Sequence, residues 1–343
     1  MKRAAKKAEK KLEEYKQTKP AQMALFQLAT QEDGRYSNTI ELYDGIPKYF
    51  WGKTERINGQ FLEPIERDFA YRGNDYSVRI TPAVIKDRDG VNRYYYPSAR
   101  EELVEDALRK LACDGRGLFL DDEAGVVFSL YELWQELKRA GHTYDLNEIK
   151  EALLVCKLAN IEVRNSDGSQ VIISSLFETV GLQTREDWKG QGKNTKAFVR
   201  FNQLVTRSIK NGAFRQLNYE RSMAYVGVIA RQLHKRMSHH FTQASITTKY
   251  EIKLSTIIRD FGITRYGQLR DNLRQVEKAL LEMKERDALL SYKIVPIYNA
   301  TRKNKLEDAL VVIQPSIRFS SEMKLANKHQ GDIRAELAAS ARR

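Results

Sequence analysis

The pattern of hydrophobic positions between residues 98 and 176 predicts a helix, a strand, two helices and a two-stranded hairpin. The second and third helices each begin with a capping box, at Ser129 and Asp145, because each of these residues has a glutamate three positions later. A turn-rich segment, 165–169, separates the two strands of the hairpin. This order of elements is typical of a winged helix. The predicted elements are Ser98–Leu111, Val126–Phe128, Leu130–Ala140, Leu146–Ala159, Ile161–Arg164 and Val171–Leu176.

The same order recurs between residues 219 and 313, although the sequence itself does not repeat. Apolar positions at helical spacing predict a long first helix, a second helix that Gly262 ends and a third helix that Thr264 caps. Two strands then flank the basic segment 299–305, which we interpret as the wing. The predicted elements are Tyr219–Met237, Ile252–Phe261, Arg265–Arg286, Ser291–Tyr298 and Leu310–Ile313, with a strand at Ala197–Asn202 before them.

These patterns predict an α+β protein with two tandem winged-helix domains and a flexible basic N-terminal tail. A hairpin is also predicted in the first domain, with strands at Tyr76–Ile80 and Val91–Tyr96 around an Asp-Gly turn. The stretch before the second domain is rich in glycine and charge, which is typical of a linker. The predicted segments are a tail over 1–37, the first domain over 38–182, the linker over 183–194, the second domain over 195–320 and a C-terminal tail over 321–343.

Charge distinguishes the two predicted domains. The chain of 343 residues has 58 basic and 45 acidic residues, a net charge of +13. Residues 98–180 hold nine basic and sixteen acidic residues, a net of −7, whereas residues 185–313 hold twenty-five and twelve, a net of +13. An anionic partner such as nucleic acid therefore fits the second domain best. The acidic first domain serves mainly dimerisation or also contacts DNA, and its charge leaves both interpretations open.

The third helix of the second domain is the predicted base-reading element, because this helix of a winged helix fits the major groove. Arginine pairs with guanine, and asparagine or glutamine pairs with adenine. The candidates for DNA contact are Arg265, Tyr266, Gln268, Arg270, Asn272, Arg274, Gln275 and Lys278, with Arg302, Lys303 and Lys305 at the wing tip as phosphate contacts. Further cations that could extend a phosphate track are Lys193, Lys196, Arg200, Arg207 and Lys210. An ordinary solvated helix face is the alternative interpretation of the same pattern.

A short apolar motif follows the basic tail. Gln22, Met23, Leu25 and Phe26 resemble the peptide by which bacterial proteins dock on the replicative sliding clamp. In an extended segment, Leu25 and Phe26 would enter apolar pockets while Gln22 supplies directional hydrogen bonds. The alternative is a segment that packs on its own domain.

Signatures of enzymes and cofactor sites are weak. The stretch 47–54 ends like a phosphate-binding loop, but Pro47 stands where that loop needs its first glycine, so ATP binding is rejected there. The five histidines form no metal motif, and the cysteines Cys113 and Cys156 have no zinc spacing. We therefore expect no catalytic activity, no metal and no cofactor. Two cysteines and the lack of a long apolar run indicate a cytoplasmic protein without a membrane span.

The chain resembles the TrfA-type plasmid replication initiators, within the iteron-binding Rep proteins that have two winged helices. The resemblance covers about residues 20–313. It depends on the clamp-like motif 22–26, on Phe128–Leu137, on the stretch from Gly192 to the long helix and on Thr264-Arg265.

The resemblance implies a bacterial cytoplasmic protein that binds direct repeats (iterons) of double-stranded DNA at a plasmid origin. It implies opening of an adjacent AT-rich segment and recruitment of host DnaA, the replicative helicase and the sliding clamp. It also implies a monomer that binds origin DNA, in equilibrium with a homodimer that limits copy number. The reading segment would be Thr264–Gln275. Two other classes stay open: a transcriptional repressor with two winged-helix domains, and a rolling-circle nuclease with a catalytic tyrosine.

Overall fold

The computed structural model describes residues 35–52, 62–86, 90–182, 196–301 and 305–340 of the chain. Residues 1–34 of the predicted tail, which hold the clamp-like motif, lie outside these ranges, as do the linker and the wing-tip residues Arg302 and Lys303. Residues 36 and 37, also assigned to the tail, are the start of a strand. Two hydrophobic cores organise the described residues, and each core belongs to one winged-helix domain. The α+β class and the two tandem winged-helix domains predicted from the sequence are therefore confirmed.

The described part of the first domain contains six α-helices, of which the two longest have 13 residues each, and twelve strands. Its helices are α1 (Glu41–Gly45), α2 (Ala99–Leu111), α3 (Leu130–Arg139), α4 (Leu146–Leu158), α5 (Gln203–Lys210) and α6 (Tyr219–Ala224). Its strands are β1 (Tyr36–Thr39), β2 (Ile65–Tyr71), β3 (Asn74–Thr81), β4 (Ala83–Lys86), β5 (Asn92–Tyr95), β6 (Gly117–Leu120), β7 (Glu123–Ser129), β8 (Asn160–Asn165), β9 (Val171–Ser175), β10 (Phe177–Gly181), β11 (Lys196–Phe201) and β12 (Arg215–Asn218).

The second domain has the order helix, strand, helix, helix, strand, strand. The winged-helix order is followed by a long C-terminal helix. The elements are α7 (Val228–His240), β13 (Tyr250–Lys253), α8 (Leu254–Asp260), α9 (Leu269–Glu285), β14 (Leu289–Tyr298), β15 (Leu306–Pro315) and α10 (Ile317–Ser340).

Antiparallel pairing joins strands that are distant in the chain. The sheets have the orders β2-β3-β8-β9, β10-β11-β7-β6, β13-β15-β14, β4-β5 and β1-β12. The capping boxes at Ser129 and Asp145 are confirmed, since each side chain accepts a backbone N–H at the third position of its helix and the glutamate there accepts the cap's own N–H. These local bonds fix where α3 and α4 begin.

The boundary between the domains differs from the prediction. Strand β11 follows the linker but lies between β7 and β10, so it completes a sheet of the first domain. The segment from Ala197 to Met223 buries its apolar side chains in the first core, and the second core begins at Tyr225. The sequence pattern could not show this, because the pairing of β11 with β7 depends on contacts about seventy residues apart.

The strand Tyr76–Ile80 does not pair with Val91–Tyr96 as predicted. It is part of β3, which lies between β2 and β8, and the Asp-Gly segment instead connects β4 with β5. Strand β4 was missed because its four residues, Ala83–Lys86, follow Pro82 after a break of one residue. The alternation of Tyr76–Ile80 gives a strand correctly, but alternation alone carries no information about its partner.

The predicted long helix Tyr219–Met237 is two helices, α6 and α7, separated at Tyr225–Gly227. The backbone N–H groups of Val226 and Gly227 donate to the Glu282 carboxylate of α9, at 2.5 Å and 3.0 Å. These bonds satisfy donors at the start of α7, in the position of a helix cap. Val226 is 85% exposed at the break.

The described part of the C-terminal segment 321–343, which was predicted as a tail, is residues 321–340, and these form most of helix α10. Phe319 and Met323 of this helix are buried in the second core, and Ile333 is buried in the first. Arg215 of β12 donates to Asn327 at 2.7 Å and to Gln330 at 2.8 Å. Helix α10 therefore packs on both domains. Its alternation of polar and small residues gave no clear apolar face, which is why the sequence suggested a tail.

Candidate nucleic-acid interface

The predicted reading segment divides into a loop and a helix. Helix α9 begins at Leu269, not at Arg265, and Gln268 is its N-cap residue. Residues Thr264–Gln268 form an exposed loop in front of the helix. Val276, Leu280 and Met283 hold α9 against the second core. Thr264 is thus not the cap that the sequence suggested, because the first helical residue is Leu269 and its N-cap residue is Gln268.

Asn272 does not lie on the exposed face where a base-reading residue would be. Its side chain is only 1% exposed. Its Nδ2–H donates to the Thr264 carbonyl at 2.9 Å, and its Oδ1 accepts the Tyr266 N–H at 3.0 Å. The prediction that Asn272 reads adenine is therefore wrong for this conformation, since its amide is occupied inside the protein. Asn272 lies one turn before Val276 and two turns before Ala279, both buried, so it belongs to the side of α9 that faces the core.

The loop and the base of the wing enclose a groove of about 490 Å³. Arginine side chains come from the loop and the start of α9, and Lys305 comes from the opposite side, where β15 begins. The groove brings together five of the predicted residues and adds Gly267, Leu269, Asn299, Leu306 and Glu307. The predicted residues that line it are Arg265, Tyr266, Gln268, Arg270 and Lys305.

The remaining predicted residues of the helix lie further along α9. Arg274, Gln275 and Lys278 are exposed, and Arg274 forms an ion pair with Asp271 at 3.1 Å. An exposed pair of this kind contributes little to stability, so Arg274 can exchange Asp271 for another anion. Their roles in DNA contact stay predictions.

Asn299 shapes the wing side of the groove, although it was not among the residues predicted from the sequence. Asn299 Oδ1 accepts the Thr301 N–H at 3.0 Å, and the Asn299 N–H donates to the Lys305 carbonyl at 3.0 Å. These bonds close the wing turn and place Lys305 beside the loop. An asparagine two residues before a threonine in a turn-rich stretch is the signal that could have indicated this turn.

The corresponding helix of the first domain, α4, is covered by protein. Val155 and Ala159 pack on Ala83 of the β4–β5 hairpin, with all three side chains fully buried. Glu151 of α4 accepts from Arg100 at 2.9 Å and from the Tyr95 hydroxyl at 3.4 Å. A major groove cannot reach this face of α4 while the hairpin lies on it. The first domain thus differs from the second in both charge and access.

Two cations that were candidates for an extended phosphate track are paired with acidic residues. Arg200 contacts Asp121 at 2.7 Å and Glu123 at 3.2 Å, and Lys210 contacts Asp122 at 2.7 Å. This pairing weakens the case for Arg200 and Lys210 as phosphate contacts. Arg207 is exposed, whereas Lys193 and the side chain of Lys196 lie outside the described residues.

Lys48 and Cys113 are both buried in the first domain. Lys48, from the rejected phosphate-binding loop, donates to the Tyr43 carbonyl at 2.9 Å inside the first core. Burial raises the pKa of the Cys113 thiol to about 11. Within the described ranges, no three histidine, cysteine or acidic side chains form a group that could hold a metal ion. Over the same ranges, no helix is long and apolar enough to span a membrane.

Comparisons with known proteins identify a similar fold. No protein-family model and no curated protein matches the chain. A crystal structure of domains 2 and 3 of RctB is similar, at 8% identity and a TM-score of 0.50, over 80% of this chain and 98% of that chain. A crystal structure of the Pi initiator protein in complex with iteron DNA gives 12% identity and a TM-score of 0.44, over 64% and 91%. The RctB likeness shows a shared fold and nothing beyond the fold.

Proposed function

We propose that this chain is a plasmid replication initiator that binds repeated double-stranded DNA at an origin through its second winged-helix domain. The observation that carries the proposal is the groove between the loop 264–268 and the wing base, because three cations, Arg265, Arg270 and Lys305, line it against one acidic residue, Glu307. Arginine reads guanine edges, and lysine beside it contacts phosphate.

The sequence supports the assignment to the plasmid replication initiators. The resemblance to TrfA-type initiators supports an iteron reader, and the fold shared with RctB domains 2 and 3 agrees with it. A repressor with two winged-helix domains would have the same groove. The clamp-like motif at Gln22, Leu25 and Phe26 favours the initiator, because a repressor has no use for a clamp contact.

The proposal is tested by fluorescence anisotropy at about 0.15 M salt, with a duplex of the origin repeat from the same replicon and a shuffled duplex. Specific protein–DNA pairs bind roughly 10³-fold or more tightly than non-specific ones. We expect a preference of that order. Equal and steeply salt-dependent affinities for both duplexes would leave only a general phosphate binder and would contradict the proposal.

Recruitment of the sliding clamp is a separate part of the proposal. We expect Phe26→Ala to abolish binding of purified clamp while the affinity for the origin repeat stays unchanged. Gln27→Ala is the matched control, because it lies directly after the motif and keeps all four of its residues. Clamp binding that survives Phe26→Ala would favour the repressor. Recruitment of DnaA and of the replicative helicase, and opening of the origin, follow from the same resemblance.

A homodimer in equilibrium with the monomer is also proposed. Strand β9 lies at the edge of its sheet, and Val171, Ile172 and Ile173 on it are exposed. Consecutive exposed β-branched residues on an edge strand favour pairing with another strand. A second copy can supply that strand through a two-fold axis. This surface lies in the acidic first domain, which agrees with a dimerisation role for that domain.

We further propose that the protein acts without catalysis of its own. A nuclease of the rolling-circle class would leave a tyrosine joined covalently to DNA. Incubation with single-stranded and supercoiled origin DNA in the presence of Mg²⁺ or Mn²⁺ should yield no covalent adduct and no nick. A stable adduct would establish the nuclease alternative.

A further inference from the structure

Asn272 connects helix α9 to the loop that carries Arg265, Tyr266 and Gln268. Its amide nitrogen donates to the Thr264 carbonyl, and its amide oxygen accepts the Tyr266 N–H, at 2.9 Å and 3.0 Å. The two bonds bracket Arg265 on both sides. Because the side chain is buried, these bonds are sheltered from water, where a hydrogen bond is stronger and its loss more costly.

The loop has exposed side chains from Thr264 to Gln268, and Gln268, the N-cap residue of α9, makes no side-chain cap bond. A loop of this kind has many backbone conformations unless a specific contact selects one. Asn272 supplies such a contact from the first turn of a helix that the second core holds rigid through Val276 and Leu280. The loop is therefore anchored to the core through one amide group.

We propose that Asn272 is a positioning residue for sequence reading: it holds the loop 264–268 in the conformation that presents Arg265 and Gln268 to base edges. This inference is based on the proposed function of the groove. A bidentate base contact requires correct placement of the arginine, whereas attraction to phosphates depends on charge and tolerates displacement. Loss of the Asn272 bonds therefore lowers sequence preference more than general affinity for DNA.

Two substitutions of Asn272 distinguish the contributions of its hydrogen bonds to Thr264 and to Tyr266. Asn272→Ala removes both. Asn272→Asp keeps the shape and the acceptor for the Tyr266 N–H, but it places a carboxylate oxygen against the Thr264 carbonyl. The matched control is Ala279→Gly, two turns further along the same helix, which weakens α9 without touching the loop. The DNA probe is a duplex that the wild-type protein selects from a random-sequence library, compared with its shuffled version.

Two readouts are measured on the full chain. The first is the ratio of the affinities for the selected and the shuffled duplex. We expect Asn272→Ala to lower this ratio about tenfold or more, as for a lost base contact, with the affinity for shuffled DNA unchanged within about twofold. The second is amide hydrogen exchange of Tyr266 without DNA, which should become faster in Asn272→Ala and stay slow in Asn272→Asp and Ala279→Gly.

The outcomes distinguish this inference from the proposed function. If the wild-type protein selects no common sequence, the proposed function fails. If it does select one and Asn272→Ala keeps the full preference, the inference about Asn272 is wrong. An equal loss of preference in Ala279→Gly would also contradict it, because the effect would then come from general weakening of the domain.

Discussion

Glu102 on α2 of the first domain accepts a hydrogen bond from the Arg231 Nε–H on α7 of the second domain, at 3.0 Å, and both side chains are buried. Gln232 and Lys235 of the same α7 also donate to Glu102, at 2.7 Å and 3.1 Å. Lys235 has a second partner on α2, Asp106, at 2.7 Å. A buried ion cluster therefore joins the two winged-helix domains.

The charges of Glu102 and Lys235 stabilise one another, and their pKa values reflect this. Burial alone would raise the pKa of Glu102, but Lys235 and Arg231 lower it below its usual range. Burial would lower the pKa of Lys235, but Asp106 and Glu102 raise it well above its usual range. Glu102 and Lys235 are thus both held in their charged forms, whereas burial raises the pKa of Asp106. Trp51 Nε1–H adds a bond between the domains, to the Phe261 carbonyl at 2.6 Å.

Removal of Glu102 should destabilise the protein strongly. Glu102→Ala leaves Arg231 and Lys235 buried with one acidic partner between them, and breaking a buried pair in this way costs about 3–5 kcal/mol. The free energy of unfolding is measured by urea denaturation. The control is Arg72→Ala, which removes the exposed ion pair with Glu41 and should cost less than about 1 kcal/mol. Similar small losses for both variants would mean that the domains are not joined by the cluster.

The sequence predicted correctly those elements that depend on neighbouring residues. Its predictions were wrong where strands pair with partners far away in the chain. The capping boxes at Ser129 and Asp145 and the wing hairpin depend on residues a few positions apart, so the sequence was sufficient for them. Strand β11 belongs to the first domain through a partner about seventy residues earlier. Asn272 was misplaced because it lies one turn before the buried Val276, on the inner side of α9, where its amide bonds to the loop and not to a base.

Helix α10 leads to a second stability prediction. Ile333 is fully buried in the first core although it lies near the C-terminal end of the chain. Ile333→Ala should lower the free energy of unfolding by about 2–5 kcal/mol, as for other large-to-small core substitutions. Leu325→Ala, at an exposed position of the same helix, should change it by less than about 0.5 kcal/mol. Equal, small effects would indicate that the segment is a tail after all.

His234 predicts a pH dependence of stability. Burial, with Arg221 and Lys235 nearby, lowers its pKa to about 3, and neither ring nitrogen has a hydrogen-bond partner among the described residues. In the unfolded chain the pKa is about 6.5. Between pH 6.5 and 3, His234 is therefore protonated in the unfolded state but neutral in the folded state. The free energy of unfolding falls as the pH drops from about 6.5 towards 3.

At pH 5 the protonation of this one histidine in the unfolded state lowers the free energy of unfolding by about 2 kcal/mol. Urea denaturation at pH 7.5 and pH 5 measures the drop in stability for the wild-type protein and for His234→Leu. The drop should be smaller in the variant by about that amount. An unchanged drop would assign the pH dependence to other groups, such as His239, whose pKa burial lowers to about 4.

The edge strand β9 gives a prediction about self-association. Ile173 is 67% exposed, so Ile173→Lys should cost the monomer little stability while it places a charge in the proposed dimer interface. Sedimentation velocity over a concentration series should show a dissociation constant at least about tenfold weaker in the variant. Val84→Lys, at an exposed position of β4, is the control. A dimer that Ile173→Lys leaves intact would place the interface on another surface.

Arg265 tests sequence reading directly. It lies in the loop that lines the groove, on the side opposite Lys305. Arg265→Ala should weaken binding to the selected duplex by roughly 1–3 kcal/mol, as for a bidentate contact with guanine. Binding to shuffled DNA should change much less, because that binding depends on the total positive charge of the surface.

Lys249→Ala removes one exposed cation of the second domain that does not line the groove, so it separates the loss of a charge from the loss of a base contact. Anisotropy titrations of both variants at several salt concentrations make the comparison. Lys249→Ala should leave the ratio between the two duplexes unchanged. If Arg265→Ala weakens both duplexes equally and only lowers the salt dependence, Arg265 contacts phosphate and the base-reading residue lies elsewhere in the groove.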